Sequence, residues 1–228
     1  MESRAVGSRG RSRAARVVPV VVLAVAGDRS GPVRIVGGRH RGRRLAAPAG
    51  SDTRPTTDRT RESLFNILGH ADWGPDGADL LDGAIVVDAF CGTGALGLEA
   101  LSRGAAHASF LDMGRAALDA VRANVAALGE GANAAVLRAD ATRPPTAARP
   151  CTLAFLDPPY GQDLAPRALA GLAKAGWLAP GAVLVVEVAG RDPLPLPPGF
   201  VELDERRYGD TRVQFLRYRN SDAVPPQP

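Results

Sequence analysis

The chain has 228 residues, 45% hydrophobic and 23% charged, with a net charge of +4. That suffices for one globular domain with an extension, and it excludes collagen, coiled coil and wholesale disorder. Aromatics make up only 5%, Cys91 and Cys151 are too few for a disulfide framework or a zinc site, and no apolar run reaches the roughly 18 residues of a membrane span.

The charge is unevenly distributed. Residues 1–61 hold 14 arginines against 4 acidic groups, whereas residues 62–228 hold 14 basic and 20 acidic groups. A basic front on an acidic body points to a polyanion on one side. Lys174 is the only lysine. A GC-rich genome explains Arg over Lys but not its position at the front. The cysteine usage and the intracellular cofactor inferred below put the protein in the cytoplasm.

Along the chain, Arg4, Arg9, Arg11, Arg13 and Arg16 precede the apolar run Val17–Ala26, which imitates a secretory signal. Pro19 interrupts that short run. Residues 1–32 are therefore read as a disordered basic tail or as the product of a start codon assigned too early, with Val33 as the initiator. Either way, activity is expected to survive their deletion. Residues 33–36 read as a short strand, followed by Gly37, Gly38 and the arginine-rich run 39–44. Residues 51–57 form a polar loop, and Thr57 or Asp58 caps a helix to about Leu68. Residues 72–83 read as a linker.

Strand–helix alternation follows. Strands are expected at 84–87, 108–111, 135–138, 152–156 and 182–188, the first a continuous apolar run typical of a buried parallel strand. Helices are expected at 95–102, 115–128 and 166–175. Residues 199–207 and 212–219 pair as a hairpin across Tyr208-Gly209-Asp210. The predicted fold is α/β, a doubly wound Rossmann-like sheet with an antiparallel C-terminal edge and a small basic N-terminal extension.

Two stretches carry chemistry. Asp88-Ala89-Phe90-Cys91-Gly92-Thr93-Gly94 leaves a buried strand and enters a helix. Gly92 and Gly94 allow a sharp bend and close approach to a ligand. With Gly97 they also satisfy the dinucleotide fingerprint G-x-G-x-x-G, with Asp112 about 20 residues on. Asp88, however, would repel a pyrophosphate and suits an ammonium group, such as the amino-acid end of S-adenosylmethionine. Asp112 ends the second strand, where an acid can hold ribose hydroxyls. Asp140 follows the third strand and is either an acceptor for the adenine amine or a solvated cap. Cys91 reads as a small buried residue rather than a nucleophile, and the scattered His40, His70 and His107 make no metal site.

The second stretch is Asp157-Pro158-Pro159-Tyr160, after the fourth strand. Strand ends of this kind face a common crevice. The Asp157 carboxylate and the Pro158 carbonyl offer two acceptors for the two N–H bonds of an exocyclic amine, and Tyr160 offers a face for an extruded base. Glu187, on the fifth strand, reads as structural.

These two motifs together resemble class I S-adenosylmethionine-dependent amino-methyltransferases. The front half narrows the resemblance. Arg34-Ile35-Val36-Gly37-Gly38, Arg41-Gly42-Arg43, Thr53-Arg54-Pro55-Thr56 and Arg61-Glu62-Ser63-Leu64-Phe65-Asn66 are similar to the RsmD family. That resemblance covers about residues 33–219. It implies methylation of the N2 amine of one guanine in 16S ribosomal RNA, within the assembling small subunit; a monomer without metal or membrane is expected. It implies that residues 33–80 form an RNA-binding segment covering the active site. Arg54 and Thr56 would then lie near donor and substrate, and Arg39, Arg41, Arg43, Arg44 and Arg59 would hold RNA phosphate. Residues 81–219 would be the methyltransferase domain and 220–228 a disordered tail. Residues 1–32 lack a counterpart, and Gly114 stands where an acidic or amide side chain is expected.

The rival readings differ in class. A DNA adenine-N6 methyltransferase would use the same Asp-Pro-Pro-Tyr chemistry, but no separate domain is available to read DNA sequence. A protein glutamine methyltransferase would carry Asn in place of Asp157. A non-enzymatic RNA-binding module would leave the glycine loop and Asp157 dispensable, and a NAD-dependent enzyme would bind nicotinamide dinucleotide.

Overall fold

The computed structural model describes residues 33–47, 58–74 and 77–219. The basic tail, the loop with Arg54 and Thr56, and the C-terminal tail lie outside the described residues. The elements in order are α1 (Asp58–His70), β1 (Ile85–Ala89), α2 (Ala95–Ser102), β2 (His107–Asp112), α3 (Arg115–Leu128), β3 (Ala134–Arg138), β4 (Cys151–Leu156), α4 (Leu164–Lys174), β5 (Leu178–Ala189), β6 (Phe200–Tyr208) and β7 (Thr211–Tyr218). None of the described helices is long and apolar enough to cross a membrane.

The strands form one sheet in the order β3-β2-β1-β4-β5-β7-β6. The first five are parallel, and β7 runs antiparallel to both β5 and β6. Strand order reverses between β1 and β4. The strands after β1 step one way across the sheet and those after β4 step the other, which opens a crevice at the carboxyl ends of the central strands.

The sequence dictates this sheet through burial on both faces. Val86, Phe110, Phe155 and Val185 pack with Leu98 of α2 and with Val121 and Val125 of α3. Val87, Leu111, Leu156 and Val186 face the other way, against Ala168, Leu169 and Leu172 of α4. Strands covered on both sides need continuous apolar runs rather than alternation. Helix α3 buries Leu118, Val121, Val125 and Leu128 at helical spacing and stops at Gly129 (φ 75°), where the Glu130 N–H reaches the Val125 carbonyl.

The front segment differs from its expectation. Residues 33–36 are not a strand of the sheet. They make a single antiparallel bridge, Arg34 with Arg44, supported by Ile35 N–H to the Arg43 carbonyl and Leu45 N–H to the Val33 carbonyl. A short 3-10 turn at Gly38–His40 breaks the ladder, because Gly38 adopts φ 72°. The expected linker is also tied down where described. Trp73 stacks on Phe215 at 5.0 Å, its carbonyl accepts from Arg217 Nη2, and Leu81 is buried.

Buried polar groups fasten the front segment to the body. Glu99 accepts from the Val36 N–H and from Arg103 Nε, and Ser102 Oγ bonds the Gly37 carbonyl. Asn124 accepts from the Ala46 N–H (2.7 Å) and donates to the carbonyls of Ala46 and Thr93. Asn124→Ala leaves three backbone groups without that partner and should cost about 2–3 kcal/mol in denaturant unfolding. Amide exchange should accelerate at residues 33–47 before it does in β1 or β4.

Candidate active site

Four acidic side chains converge at the carboxyl edge of the sheet. Asp112, Asp88 and Glu187 end or nearly end β2, β1 and β5, on the face that carries Phe110, Val86 and Val185. Asp157 follows β4 one position beyond Leu156, which pairs with Val186. Strand alternation therefore sets Asp157 and Glu187 side by side on that same face.

The first crossover loop builds one half of the site. Phe90 takes φ 61°, a left-handed conformation unusual for a side chain of its size. Gly92 (φ 52°) and Gly94 (φ 74°) complete the turn, closed by Gly94 N–H to the Cys91 carbonyl at 2.6 Å. A Cβ on Gly92 would meet nothing within 4 Å, so the space before it is open to a ligand. Asp88 is buried, and its Oδ2 accepts only a backbone bond, from Gly97 N–H at 2.9 Å. Burial pushes its carboxyl up to about 8, against that hydrogen bond and with help from Asp112. An approaching cation would draw the proton off.

Asp112 spans the loop. Its Oδ2 accepts from Gly92 N–H at 3.0 Å and its Oδ1 from Gly114 N–H at 2.7 Å. Gly114, anomalous for the expected pattern, supplies a backbone donor here. Asp140 accepts from both the N–H and the hydroxyl of Thr142 through Oδ1, and these bonds hold it below the usual carboxylate range. Its geometry is that of a turn cap, with Oδ2 the remaining acceptor. Cys91 is buried, which pushes its thiol far up and removes it as a nucleophile.

The second half is the loop after β4. Pro158 is buried, whereas Tyr160 is 49% exposed. The Tyr160 hydroxyl donates to Glu187 Oε1 at 2.9 Å and lies 3.3 Å from Thr211 Oγ1. Burial raises Tyr160 to about 12. Burial also pushes Asp157 well above its usual range, reinforced by Glu187 and then Asp88.

The five predicted basic residues, Arg39, Arg41, Arg43, Arg44 and Arg59, are all exposed. Arg41 and Arg59 line one concavity with Arg34, Asp58 and Glu62. Arg39 instead grips Glu130 through Nε and Nη2, beside His40, and Arg43 donates to the Ala127 carbonyl. These two anchor the segment as well as charging it. The sequence reading gave Glu187 a structural place, and it did not single out the anchors Glu99, Asn124 and Glu130.

Antiparallel β7 inserted between β5 and β6 separates this sheet from the dehydrogenase type, in which all strands run parallel. It is the class I methyltransferase fold. The solved Escherichia coli protein yhhF superposes with a TM-score of 0.70 at 34% identity, covering 83% of this chain and 99% of that one. A Thermus thermophilus protein gives 0.62 at 29% identity, covering 80% and 98%. The family described as Conserved hypothetical protein 95 matches residues 33–217. The chain is 41% identical to ribosomal RNA small subunit methyltransferase D of Escherichia coli K12, over 74% of this chain and 81% of that protein. It is 33% identical to the Haemophilus influenzae protein of the same name, over 83% and 95%. The chain belongs to this family, the RsmD family of ribosomal RNA small subunit methyltransferases.

The Asp88 environment makes a prediction in the ligand-free protein. The folded state holds its proton up to about 8, whereas the unfolded chain releases it near 3.8. Between those values the native state binds more protons, so stability is full below about 4 and falls as pH rises through about 8. Asp88→Asn mimics the protonated carboxyl and should flatten that decline by on the order of a few kcal/mol. Paired urea titrations of wild type and variant at about pH 5 and about pH 8.5 measure it.

Proposed function

We propose that the protein transfers a methyl group from S-adenosylmethionine to the exocyclic N2 of a guanine in 16S ribosomal RNA. The acceptor is the assembling small subunit, in the cytoplasm, and the protein acts as a monomer. The observation that carries this reading is the acidic crevice at the carboxyl edge of the sheet, in a chain whose relatives are named ribosomal RNA small subunit methyltransferases.

The donor set fits this cofactor. Buried Asp88, with its raised affinity for a proton, favours the ammonium end over any phosphate. Phe90, Gly92 and Gly94 line the turn, and Asp112 faces the ribose hydroxyls while it holds the turn by two backbone bonds. Asp140 takes the adenine amine on its second oxygen. The family resemblance assigns Arg54 and Thr56 to the cofactor as well. Bound S-adenosylmethionine supplies a methyl group made electrophilic by its sulfonium.

The chain's residues ready the nucleophile. The N2 lone pair of guanine is delocalised into the ring. Asp157 and the Pro158 carbonyl accept its two N–H bonds and turn the lone pair toward the methyl group. Tyr160 stacks on the extruded base, its ring fixed by the Glu187 bond. The proton lost from N2 passes to bulk water. Arg39, Arg41, Arg43, Arg44 and Arg59 hold phosphates and set the register.

Labelled S-adenosylmethionine offered with unmethylated small subunits, free 16S RNA and unmethylated DNA tests this. Label in N2-methylguanine of ribosomal RNA is expected, and label only as N6-methyladenine in DNA would overturn the substrate. Asp157→Ala should retain cofactor affinity by calorimetry and lose at least about 10²-fold in turnover. Asp112→Ala should mainly weaken the cofactor, by about tenfold or more.

A further inference from the structure

Glu187 has no part in the mechanism above except as a tether for Tyr160. It sits in the strand next to Asp157, on the same face, and with Pro158 and Tyr160 it lines a small cavity reaching to Asp192. Two acidic side chains stand at neighbouring strand ends, and the Glu187 charge adds to the cost of ionising Asp157.

We infer that Glu187 is the specificity-determining residue that accepts the N1–H of the target guanine while Asp157 and Pro158 accept from N2. The inference rests on the guanine-N2 reading and deepens it. The chemistry is that of the base edge. Guanine presents N1–H and the N2 amine as adjacent donors, so the edge that carries the reacting amine needs two neighbouring acceptors. Adenine presents an unprotonated N1 beside its amine, and two carboxylates there would set a lone pair against a lone pair. Glu187 Oε1 accepts from Tyr160, and a carboxylate has about four acceptor positions in all. Burial holds the Asp157 carboxyl above its usual range and Glu187 is the first charge to add to that, which fits two carboxylates built to share hydrogen-bond donors.

The test uses small subunits reconstituted with 16S RNA ligated from fragments. The position methylated by wild type carries either guanine or 2-aminopurine, which keeps the N2 amine but has an unprotonated N1. Wild type is expected to prefer guanine by about 10²-fold or more in kcat/KM. Glu187→Gln can donate its amide to N1 and should raise the 2-aminopurine to guanine ratio by at least about tenfold. Tyr160→Phe removes the tether and keeps the ring, and should leave that ratio near the wild-type value.

If Glu187→Gln slows both acceptors equally, the side chain only supports the loop and the inference is overturned. If Tyr160→Phe reproduces the change in ratio, Glu187 acts through the tyrosine, and the inference is again overturned. If wild type places no methyl on guanine N2, the proposed function itself fails and the inference with it. That failure is visible before any variant is made.

Discussion

The crowding of carboxylates at one end of one sheet face is the constraint on which the site depends. Asp112, Asp88, Asp157 and Glu187 come from four adjacent strands, and their separation is set by the strand spacing of the sheet. The same face carries the buried Phe110, Phe155 and Val185. Burial raises Asp88 and Asp157, while backbone and side-chain donors satisfy Asp112 and Asp140. A positively charged ligand would favour the ionised form of Asp88 and Asp157. A dinucleotide or nucleotide phosphate would meet the opposite field, although the glycine spacing alone would admit one.

The sign of charge changes over a short distance. The body is acidic, yet the surface presented by residues 34–44 and by the first turn of α1 is arginine-rich. Arg34 and Arg61 both pair with Asp58, so part of that positive charge joins the bridge to the helix. The exposed arginines around them face outward. A polyanion approaching that surface is attracted, and only its uncharged bases gain by entering the acidic crevice.

Much of this was legible in the residues. The β-branched and apolar runs identified the five parallel strands, and their ends located Asp88, Asp112, Asp140 and Asp157 within a residue of where they stand. The alternating code of two faces then follows without further information. What escaped was long-range. Residues 33–36 carry strand-like side chains but obtain only one bridge, because Gly38 turns the chain away. Residues 72–83 have loop composition yet are fixed by Trp73 on Phe215, a partner far away along the chain. Helix α4 begins before Pro166, at Leu164, since proline is tolerated in a first turn. The place of Glu187 beside Asp157 was not legible, because a single acid in an apolar strand says nothing of its neighbour until strand order is known.

The front segment and the glycine turn are mechanically one unit, and a single side chain shows why. Asn124, on the buried face of α3, binds both backbone groups of Ala46 and the carbonyl of Thr93. Thr93 lies between the two glycines that shape the turn after β1. Displacing the segment would pull on that turn, and reshaping the turn would loosen the segment. Arg103 adds a second link, since its guanidinium packs 5.1 Å from the centre of the Phe65 ring on α1 while binding Glu99, which in turn holds Val36. The two bonds of Glu99 are part-buried and charge-assisted, so they lose less to solvent screening than exposed pairs. The arginine-bearing segment is thus positioned by the same groups that position the crevice.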